Sequence, residues 1–339
     1  MSAAEAMLAM PPQLQVDYVA ATPAELLAQD DTLAVFGFGA QAPQHDDPRY
    51  LRVALEPFGD RRLERWRGRG PVIKGRDGDL AWSEDGALQF GVIEFDEPEP
   101  LPGEATNGEI ARAAEYLYRK LLAFTEARGY PHLLRIWNYL DGITLGHGDE
   151  ERYRVFCVGR AKGLGDFDIA RLPAATAIGR VDGARRLQVY WLASRTPGTP
   201  LENPRQVSAY RYPRQYGPQP PSFARAMLPP QPAAMPLLLS GTAAVVGHES
   251  RHADSVLAQL DETLANFDSL LDVARQRRPQ LPTAFGGGSC LKVYVRDVEE
   301  IDNVAAALDR RFGERVPRIL LHAAICRYEL RVEIDGSHG

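Results

Sequence analysis

The sequence NGEIARAAEYLYRKLLAFTEARGYPHLLRIWNY, residues 107–139, determines how the first part of the chain folds. Its apolar side chains recur every three or four residues, which predicts an amphipathic helix over about 107–128. Thr106 or Asn107 is the expected N-cap, and a glycine and a proline end the helix. The apolar and aromatic run at 133–139 then predicts a strand.

The same order of elements surrounds a second long amphipathic run, which predicts a helix over about 250–278 with Ser250 as its N-cap. Strand-like runs precede it at 237–246 and follow it at 290–296. Further patterns predict helices near 153–161 and 298–312, and strands at 88–95, 174–179, 318–326 and 329–334.

Two parts of the chain therefore share the order strand, long helix, strand, shorter helix, strand. This alternation predicts an α+β fold in which helices pack on one face of mixed β-sheets, in two related halves. We place the halves at residues 1–185 and 186–339. The two share no residue-level self-similarity, so the repeat is one of pattern.

A proline-rich segment, 197–236, lies between the two long helices and holds eleven of the 26 prolines. Proline removes amide donors and favours extended backbone, so a linker is one interpretation. Tyr210, Tyr212 and Tyr216 lie inside it, however, and disordered linkers are poor in aromatic residues. We predict an ordered loop that lines a site.

Composition restricts the class of protein. A formal net charge of −6 argues against a nucleic-acid partner, because neutralising phosphates needs a basic surface. Three widely spaced cysteines without a CxxC pair are typical of a reduced, cytoplasmic chain. No Lys or Arg precedes Arg49, so a signal peptide is not expected, and no apolar run is long enough to span a membrane.

One motif, His248-Glu249-Ser-Arg-His252, has the HExxH spacing of zinc hydrolases. That motif binds zinc when it lies on a helix and a third ligand completes the site. Here it straddles the expected start of a helix, and no third ligand stands at the usual spacing. Helix-end hydrogen bonding explains it as well, and we expect neither a metal nor an organic cofactor.

Arginine and aromatic residues cluster around 135–160. On a strand, Arg135 shares a face with aromatic neighbours, and on the helix that follows, Arg152 and Arg160 share another. Guanidinium and phenol groups suit the binding of a carboxylate. An ordinary solvated surface is the alternative.

The C-terminal strand carries Glu333 among apolar neighbours. Alternation places Glu333 on the face opposite Val332 and Ile334, and a solvated face is the common outcome for such a pattern. If that face instead meets a closed cavity, burial would raise the pKa of Glu333 and keep it protonated as a general acid.

Several ordered blocks resemble the chorismatase family. They are RIWNY (135–139), ERYRVFCVGR (151–160), NPRQVSAYRYPRQY (203–216), SGTAAVVGHESRH (240–252) and the segment 326–333. The resemblance implies that both halves have the RidA/YjgF fold, that no metal or organic cofactor is needed, and that the HExxH motif is a loop sequence.

The resemblance also implies a reaction, the cleavage of chorismate at a branch of the shikimate pathway. Glu333 matches the family's catalytic glutamate, which protonates the enolpyruvyl methylene, and Cys326 matches a cysteine of the types that form an aromatic product. The residues expected to bind the substrate are Arg135, Tyr153, Arg160, Tyr212, Tyr216, Ser240, Gly241, Thr242 and Ala243.

The implied products are pyruvate and 3-hydroxybenzoate, 4-hydroxybenzoate or both, for secondary metabolism or as a ubiquinone precursor. Two other interpretations of the chain remain open. One is a RidA-like protein that binds a small acid or acts as a deaminase, and the other is a zinc hydrolase using His248, Glu249 and His252. The oligomeric state is not indicated by the sequence.

Overall fold

The computed structural model describes residues 12–60, 62–103 and 105–339. These residues form sheets of four, six and seven strands and a two-stranded ladder. The expectation about a signal peptide rests partly on residues 1–11, which lie outside the described residues. Within the described ranges, no helix is both long and apolar enough to cross a membrane.

The first part of the chain contains the four- and six-stranded sheets. Its elements are β1 (Gln15–Val19), α1 (Pro23–Leu27), β2 (Thr32–Phe38), β3 (Tyr50–Val53), β4 (Glu56–Phe58), β5 (Leu63–Arg67), β6 (Ile73–Asp77), β7 (Leu80–Glu84), β8 (Leu88–Asp96), α2 (Gly108–Ala127), β9 (His132–Asp141), α3 (Arg152–Leu164), β10 (Ala174–Arg180) and β11 (Arg186–Ser194). The four-stranded sheet has the order β1-β5-β2-β3.

The second part contains the seven-stranded sheet. Its elements are β12 (Thr199–Leu201), β13 (Ala226–Leu228), β14 (Leu237–Ala243), β15 (Val245–Val246), β16 (Glu249–Ser250), α4 (Val256–Arg277), β17 (Cys290–Val295), α5 (Ile301–Phe312), β18 (Arg318–His322) and β19 (Val332–His338).

The two large sheets repeat one topology. The first has the order β10-β9-β11-β8-β7-β6, and the second has β12-β13-β14-β19-β17-β18-β4. Strands β9 and β10 are parallel, and β11 is antiparallel to both of its neighbours. In the second sheet, β17 and β18 are likewise parallel, and β19 is antiparallel to both of its neighbours. The predicted α+β class, with mixed sheets in two related halves, is confirmed.

The first sheet continues to Ser194, because β11 lies between β9 and β8. It therefore extends past residue 185, where the sequence pattern places the division between halves. The change of sheet falls between Ser194 and Thr199, at the start of the proline-rich segment. This segment also contributes β12 and β13 and contains two short 3₁₀ turns, Ala209–Arg211 and Arg214–Tyr216.

Three apolar layers make up most of the core. Helices α2 and α3 cover one face of the six-stranded sheet, and α4 and α5 cover one face of the seven-stranded sheet. A third layer contains residues from all three large sheets, so it lies where their inner faces meet. Each fully buried leucine or phenylalanine in these layers contributes about 1.5–3 kcal/mol, which is how helices on one face stabilise each sheet.

Two predicted boundaries are wrong for local reasons. Helix α4 begins at Val256, with the Ser255 hydroxyl accepting a hydrogen bond from the amide of Ala258, whereas Ser250 pairs in the short ladder of β15 and β16. The strand predicted at 318–326 ends at His322. Ala324 leaves the seven-stranded sheet and pairs with Gly179 of β10, through hydrogen bonds of 2.8 and 3.0 Å.

Candidate active site

Glu333 lies on β19 between Ala243 of β14 and Tyr294 of β17. Strand alternation turns Val332 and Ile334 toward the helices and leaves Glu333 facing the layer between the sheets. The side chain is 4 % exposed. The solvated face that such a pattern commonly gives is therefore not what this chain forms.

Burial is the main cause of an unusual acidity at Glu333. Burial, and next the charge of Asp335, raise the pKa of this carboxyl from 4.5 to about 8, although Arg135 and Arg225 act in the opposite direction. At pH 7 a group with that pKa is about nine-tenths protonated. Glu333 can therefore donate a proton at neutral pH.

Cys326 contacts the same carboxyl. Its Sγ lies 3.9 Å from Oε2 of Glu333 and donates a weak hydrogen bond. The pairing of Ala324 with β10 turns the chain toward the first sheet and brings Cys326 to this position. Burial raises the pKa of the Cys326 thiol well above 9, so it is a neutral thiol beside the carboxyl.

A cleft with an empty volume of about 790 Å³ opens in front of Glu333 and Cys326. Apolar residues and a glycine form part of its wall: Ala175, Ala177, Pro221, Phe223, Gly241, Ala243, Val245 and Leu330. The rest of the lining is polar: Glu151, Tyr153, Arg154, Arg160, Thr176, Tyr212, Tyr216, Arg225, Cys326, Arg327 and Glu333. Both halves and the proline-rich segment contribute to it.

Arg160 presents unsatisfied donors to this cleft. Its side chain is 4 % exposed, and its Nε and Nη2 have no hydrogen-bond partner within the part of the chain that the structure describes. The guanidinium lies 5.0 Å from the ring centroid of Tyr118. Helix α3 approaches α2 closely enough that a β-carbon at Gly159 would overlap the backbone of Ala111, which sets the depth of Arg160.

Arg225 is the second buried cation of the cleft. Its Nη2 donates to the carbonyl of Val207 at 3.0 Å and to the hydroxyl of Tyr212 at 2.6 Å. Its Nε has no partner among the described residues. A buried guanidinium with unpaired N–H groups is costly unless an anion binds to it, so the cleft is suited to a carboxylate.

Aromatic residues complete the polar wall. Tyr153 of α3 is partly buried, and burial of its hydroxyl raises its pKa well above 10, so it carries a neutral hydroxyl. The hydroxyl of Tyr216 lies 3.2 Å from Nδ1 of His248. Arg327 lies over the Tyr216 ring at 4.1 Å and donates to the carbonyl of His248 at 2.9 Å. These contacts hold the proline-rich segment against the cleft.

Several known proteins are similar in sequence to this chain. The family model "Chorismatase FkbO/Hyg5-like, N-terminal" matches residues 64–193. A chorismatase of Streptomyces hygroscopicus is 37 % identical over 80 % of this chain and 78 % of its own length. A second chorismatase, from Streptomyces rapamycinicus, is 35 % identical over 80 % of this chain and 81 % of its own. This chain belongs to the chorismatase family.

Two more comparisons agree with that assignment. A chorismatase crystal structure superimposes with a TM-score of 0.82 and 32 % identity, covering 97 % of this chain and 98 % of the other. A 3-hydroxybenzoate synthase of Streptomyces hygroscopicus is 34 % identical over 68 % of this chain and 70 % of its own length.

Arg135 is expected from the sequence to bind the substrate, but its side chain does not line the cleft. It is fully buried, its Nη2 lies 3.1 Å from Oδ2 of Asp335 and also donates to the hydroxyl of Thr176, and its guanidinium stacks on Trp137 at 4.1 Å. Arg152 is likewise buried and pairs with Glu97, away from the cleft. The internal carboxylates hold both guanidiniums away from a ligand.

The segment Ser240–Ala243 is only partly placed as expected. Gly241 and Ala243 line the cleft. The Ser240 hydroxyl instead donates to the carbonyl of Ala224 and accepts from the amide of Ala175 at 2.9 Å. The Thr242 hydroxyl donates to the carbonyl of Ser240. Both hydroxyls are thus bonded within the protein: the Ser240 hydroxyl joins β14 to two other segments, and the Thr242 hydroxyl bonds within β14 itself.

The HExxH motif does not lie on a helix. His248 contacts Tyr216, Glu249 forms an ion pair with Arg251 at 2.9 Å, and Nε2 of His252 lies 3.2 Å from Glu262. The three side chains therefore have separate partners. Among the described residues, no group of three or more His, Cys, Asp or Glu side chains is arranged to hold a metal ion.

Five polar lining residues are not among the expected site residues: Glu151, Arg154, Thr176, Arg225 and Arg327. Arg225 lies in the proline-rich segment and Arg327 follows Cys326, so position next to recognised residues was a usable signal for both. Thr176 lies in a strand of small residues and carries no such signal, because only the approach of the two sheets brings it to the cleft.

Proposed function

We propose that this chain cleaves chorismate to pyruvate and a hydroxybenzoate, with Glu333 as the proton donor. The observation that carries the proposal is a buried carboxyl with a pKa of about 8 at the base of a cleft with unpaired arginine donors. An enol ether is cleaved after protonation at carbon, so the reaction needs an acid that keeps its proton at neutral pH. The relatives named chorismatase support the substrate.

The charge of the cleft suits a dianion. Chorismate carries two carboxylates, and Arg160 and Arg225 each offer buried donors without a partner among the described side chains. Tyr153, Tyr212 and Tyr216 add hydroxyl groups around them. We assign these five residues to substrate binding, because oriented donors in a water-poor site position an anion better than solvent does.

The step at Glu333 is the transfer of its proton to the terminal methylene carbon of the enolpyruvyl group. The carbon that bears the ether oxygen becomes an oxocarbenium ion, and an oxygen nucleophile adds to it. The nucleophile gives up a proton as it adds, which restores the acid form of Glu333. If the nucleophile is water, collapse of the adduct releases pyruvate and a ring diol, and the diol then loses a ring proton and the neighbouring hydroxyl as water to give the aromatic product. If the nucleophile is the ring hydroxyl, no water enters: one ring C–O bond breaks with loss of the ring proton, and pyruvate and the aromatic product form together. Chorismate has the combined formula of pyruvate and hydroxybenzoate, so no oxidant or reductant is consumed.

The position of the product hydroxyl depends on which ring C–O bond breaks. Cys326 lies beside the acid and faces the cleft, which supports formation of an aromatic product. The relative named 3-hydroxybenzoate synthase supports 3-hydroxybenzoate. We propose 4-hydroxybenzoate, the ubiquinone precursor, as a second product. A cytoplasmic location is also proposed, supported by three free cysteines.

The test is incubation of purified, chelator-treated protein with chorismate, followed by chromatography of the products. Stoichiometric pyruvate and hydroxybenzoate are expected. Consumption without pyruvate, or no consumption, would contradict the proposal and favour a RidA-like protein that binds a small acid. Activity that disappears with chelation and returns with zinc would instead favour the HExxH hydrolase.

A further inference from the structure

We propose that Thr176 is a positioning residue, whose hydroxyl sets the location and the protonation of Glu333. The proposal rests on the proposed function of Glu333. Oγ1 of Thr176 donates to Oδ2 of Asp335 at 2.8 Å, accepts from the amide of Gly241 at 3.0 Å, and accepts from Nη2 of Arg135. One buried hydroxyl thus joins both large sheets.

The hydrogen bond between Thr176 and the amide of Gly241 affects the position of the Glu333 carboxyl, because Gly241 is in contact with Glu333. The register of β14 and β19 shifts between Leu239 and Thr242, and the amide of Gly241 donates to Thr176. The α-carbon of Gly241 lies against Glu333, so closely that a β-carbon there would overlap Oε1. Any movement of the Gly241 backbone therefore changes where the carboxyl of Glu333 lies.

The hydrogen bonds of Thr176 with Asp335 and Arg135 affect the protonation of Glu333, because both partners are charged. Asp335 raises the pKa of Glu333 and Arg135 lowers it, and the Thr176 hydroxyl bridges these two groups. The remaining groups that face the carboxyl are Arg225, Cys326 and Tyr153, from the proline-rich segment, the loop before β19 and helix α3. None of these three is bonded directly to Thr176 in the described structure, so a change at Thr176 acts through Asp335, Arg135 and Gly241.

If Thr176 had a purely structural role, a different result would be expected, and a variant of Tyr294 distinguishes a structural role from a positioning role. The Tyr294 hydroxyl donates to the same Oδ2 of Asp335, at 2.9 Å, from strand β17. Tyr294 is fully buried and does not line the cleft. Tyr294→Phe therefore removes one donor from Asp335 without touching Gly241 or Arg135.

The experiment compares Thr176→Val, Thr176→Ser and Tyr294→Phe with the wild type for kcat, KM and the pH profile of kcat on chorismate. We expect Thr176→Val to lower kcat on the order of 10- to 100-fold, as small misplacements of catalytic groups do. It should also move the alkaline limb of the profile by about half a pH unit or more, whereas Thr176→Ser restores both. Tyr294→Phe should leave that limb in place.

Equal effects of Thr176→Val and Tyr294→Phe, with an unmoved pH profile, would overturn the proposal, as would a rise in KM alone. Thr176→Ala replaces the valine variant if the latter does not fold. Infrared titration of the Glu333 carboxyl, taken as the difference from Glu333→Gln, gives a readout without turnover. A wild type that does not cleave chorismate contradicts the proposed function, and the titration still decides whether Thr176 controls Glu333.

Discussion

Gly241 and Glu333 are in direct contact across the pair of strands that form the base of the cleft. A β-carbon at position 241 would overlap Oε1 of Glu333 and would lie 3.2 Å from Oγ1 of Thr176. Real β-carbons do not approach oxygen atoms as closely as this one would approach Oε1. The absence of a side chain at 241 is therefore a requirement for the observed position of the carboxyl.

Gly241→Ala should lower kcat at least about 100-fold, because the carboxyl of Glu333 must rotate away from its position and misplaced acids lose that much. Steady-state assays of pyruvate release measure the effect. Gly286→Ala is the matched control, since a β-carbon at Gly286 would meet no atom within 4 Å. Near-normal activity of Gly241→Ala would show that the acid works from another position.

The pH dependence of turnover should follow the protonation of Glu333. With a pKa raised to about 8, the carboxyl is protonated at neutral pH, so kcat should stay high there and fall tenfold per pH unit above about 8. Glu333→Gln should abolish turnover at every pH while chorismate still binds, as calorimetry measures. A profile that instead falls below pH 6 would require an ionised Glu333.

Stability should depend on pH through the same group. In the unfolded chain Glu333 ionises near its ordinary pKa of 4.5, whereas the folded chain keeps the proton to about 8. The folded state therefore binds more protons between these values, and the free energy of unfolding of the wild type falls as pH rises through that window.

Glu333→Gln lacks this dependence, so its stability relative to the wild type should grow by a few kcal/mol between pH 4.5 and pH 8, at ~1.4 kcal/mol per pKa unit. Urea unfolding at pH 5 and pH 9 measures the difference. A gap that does not change with pH would show that the carboxyl is not protonated in the folded chain.

Most of the fold is predictable from local periodicity, since the spacing of apolar side chains alone indicates both long helices and the strands around them. The places where it failed depend on contacts between the halves. The segment 323–326 is as apolar as a strand, but Ala324 pairs with Gly179 of the other sheet. No pattern within one segment encodes a partner that far away along the chain.

The candidate site shows the same division. Alternation places Glu333 on one face of β19, but it cannot show that the other half of the molecule covers that face. Arg135 and Arg160 are indistinguishable as sequence signals, and Asp335 pairs with only one of them. Which arginine stays available for a ligand is thus decided by packing.

Cys326 should control the product more than the rate. Its Sγ is 3.9 Å from Oε2 of Glu333, and its raised pKa keeps it a neutral thiol, so it shapes the region next to the acid without supplying charge. Cys326→Ala should change the ratio of 3- to 4-hydroxybenzoate severalfold while chorismate consumption changes less, as chromatography of both products measures. Cys157→Ala is the control, because Cys157 is buried outside the cleft lining. An unchanged ratio would refute this role.

Arg160 should contribute to substrate binding and, at the same time, lower the stability of the substrate-free protein. Losing a charged hydrogen bond costs about 1.5–3 kcal/mol, so Arg160→Gln should raise KM on the order of 10- to 100-fold with a smaller effect on kcat. Without chorismate the variant should be as stable as the wild type or more so, because it removes buried donors that have no partner among the described residues.

Thermal unfolding with and without chorismate measures both effects of Arg160. The wild type should gain stability from the substrate at concentrations where Arg160→Gln gains little. Arg186→Gln is the matched control, since Arg186 forms an exposed pair with Asp96 outside the cleft. If Arg160→Gln destabilises the free protein and leaves KM unchanged, the guanidinium is a packing element and another cation of the cleft binds the carboxylate.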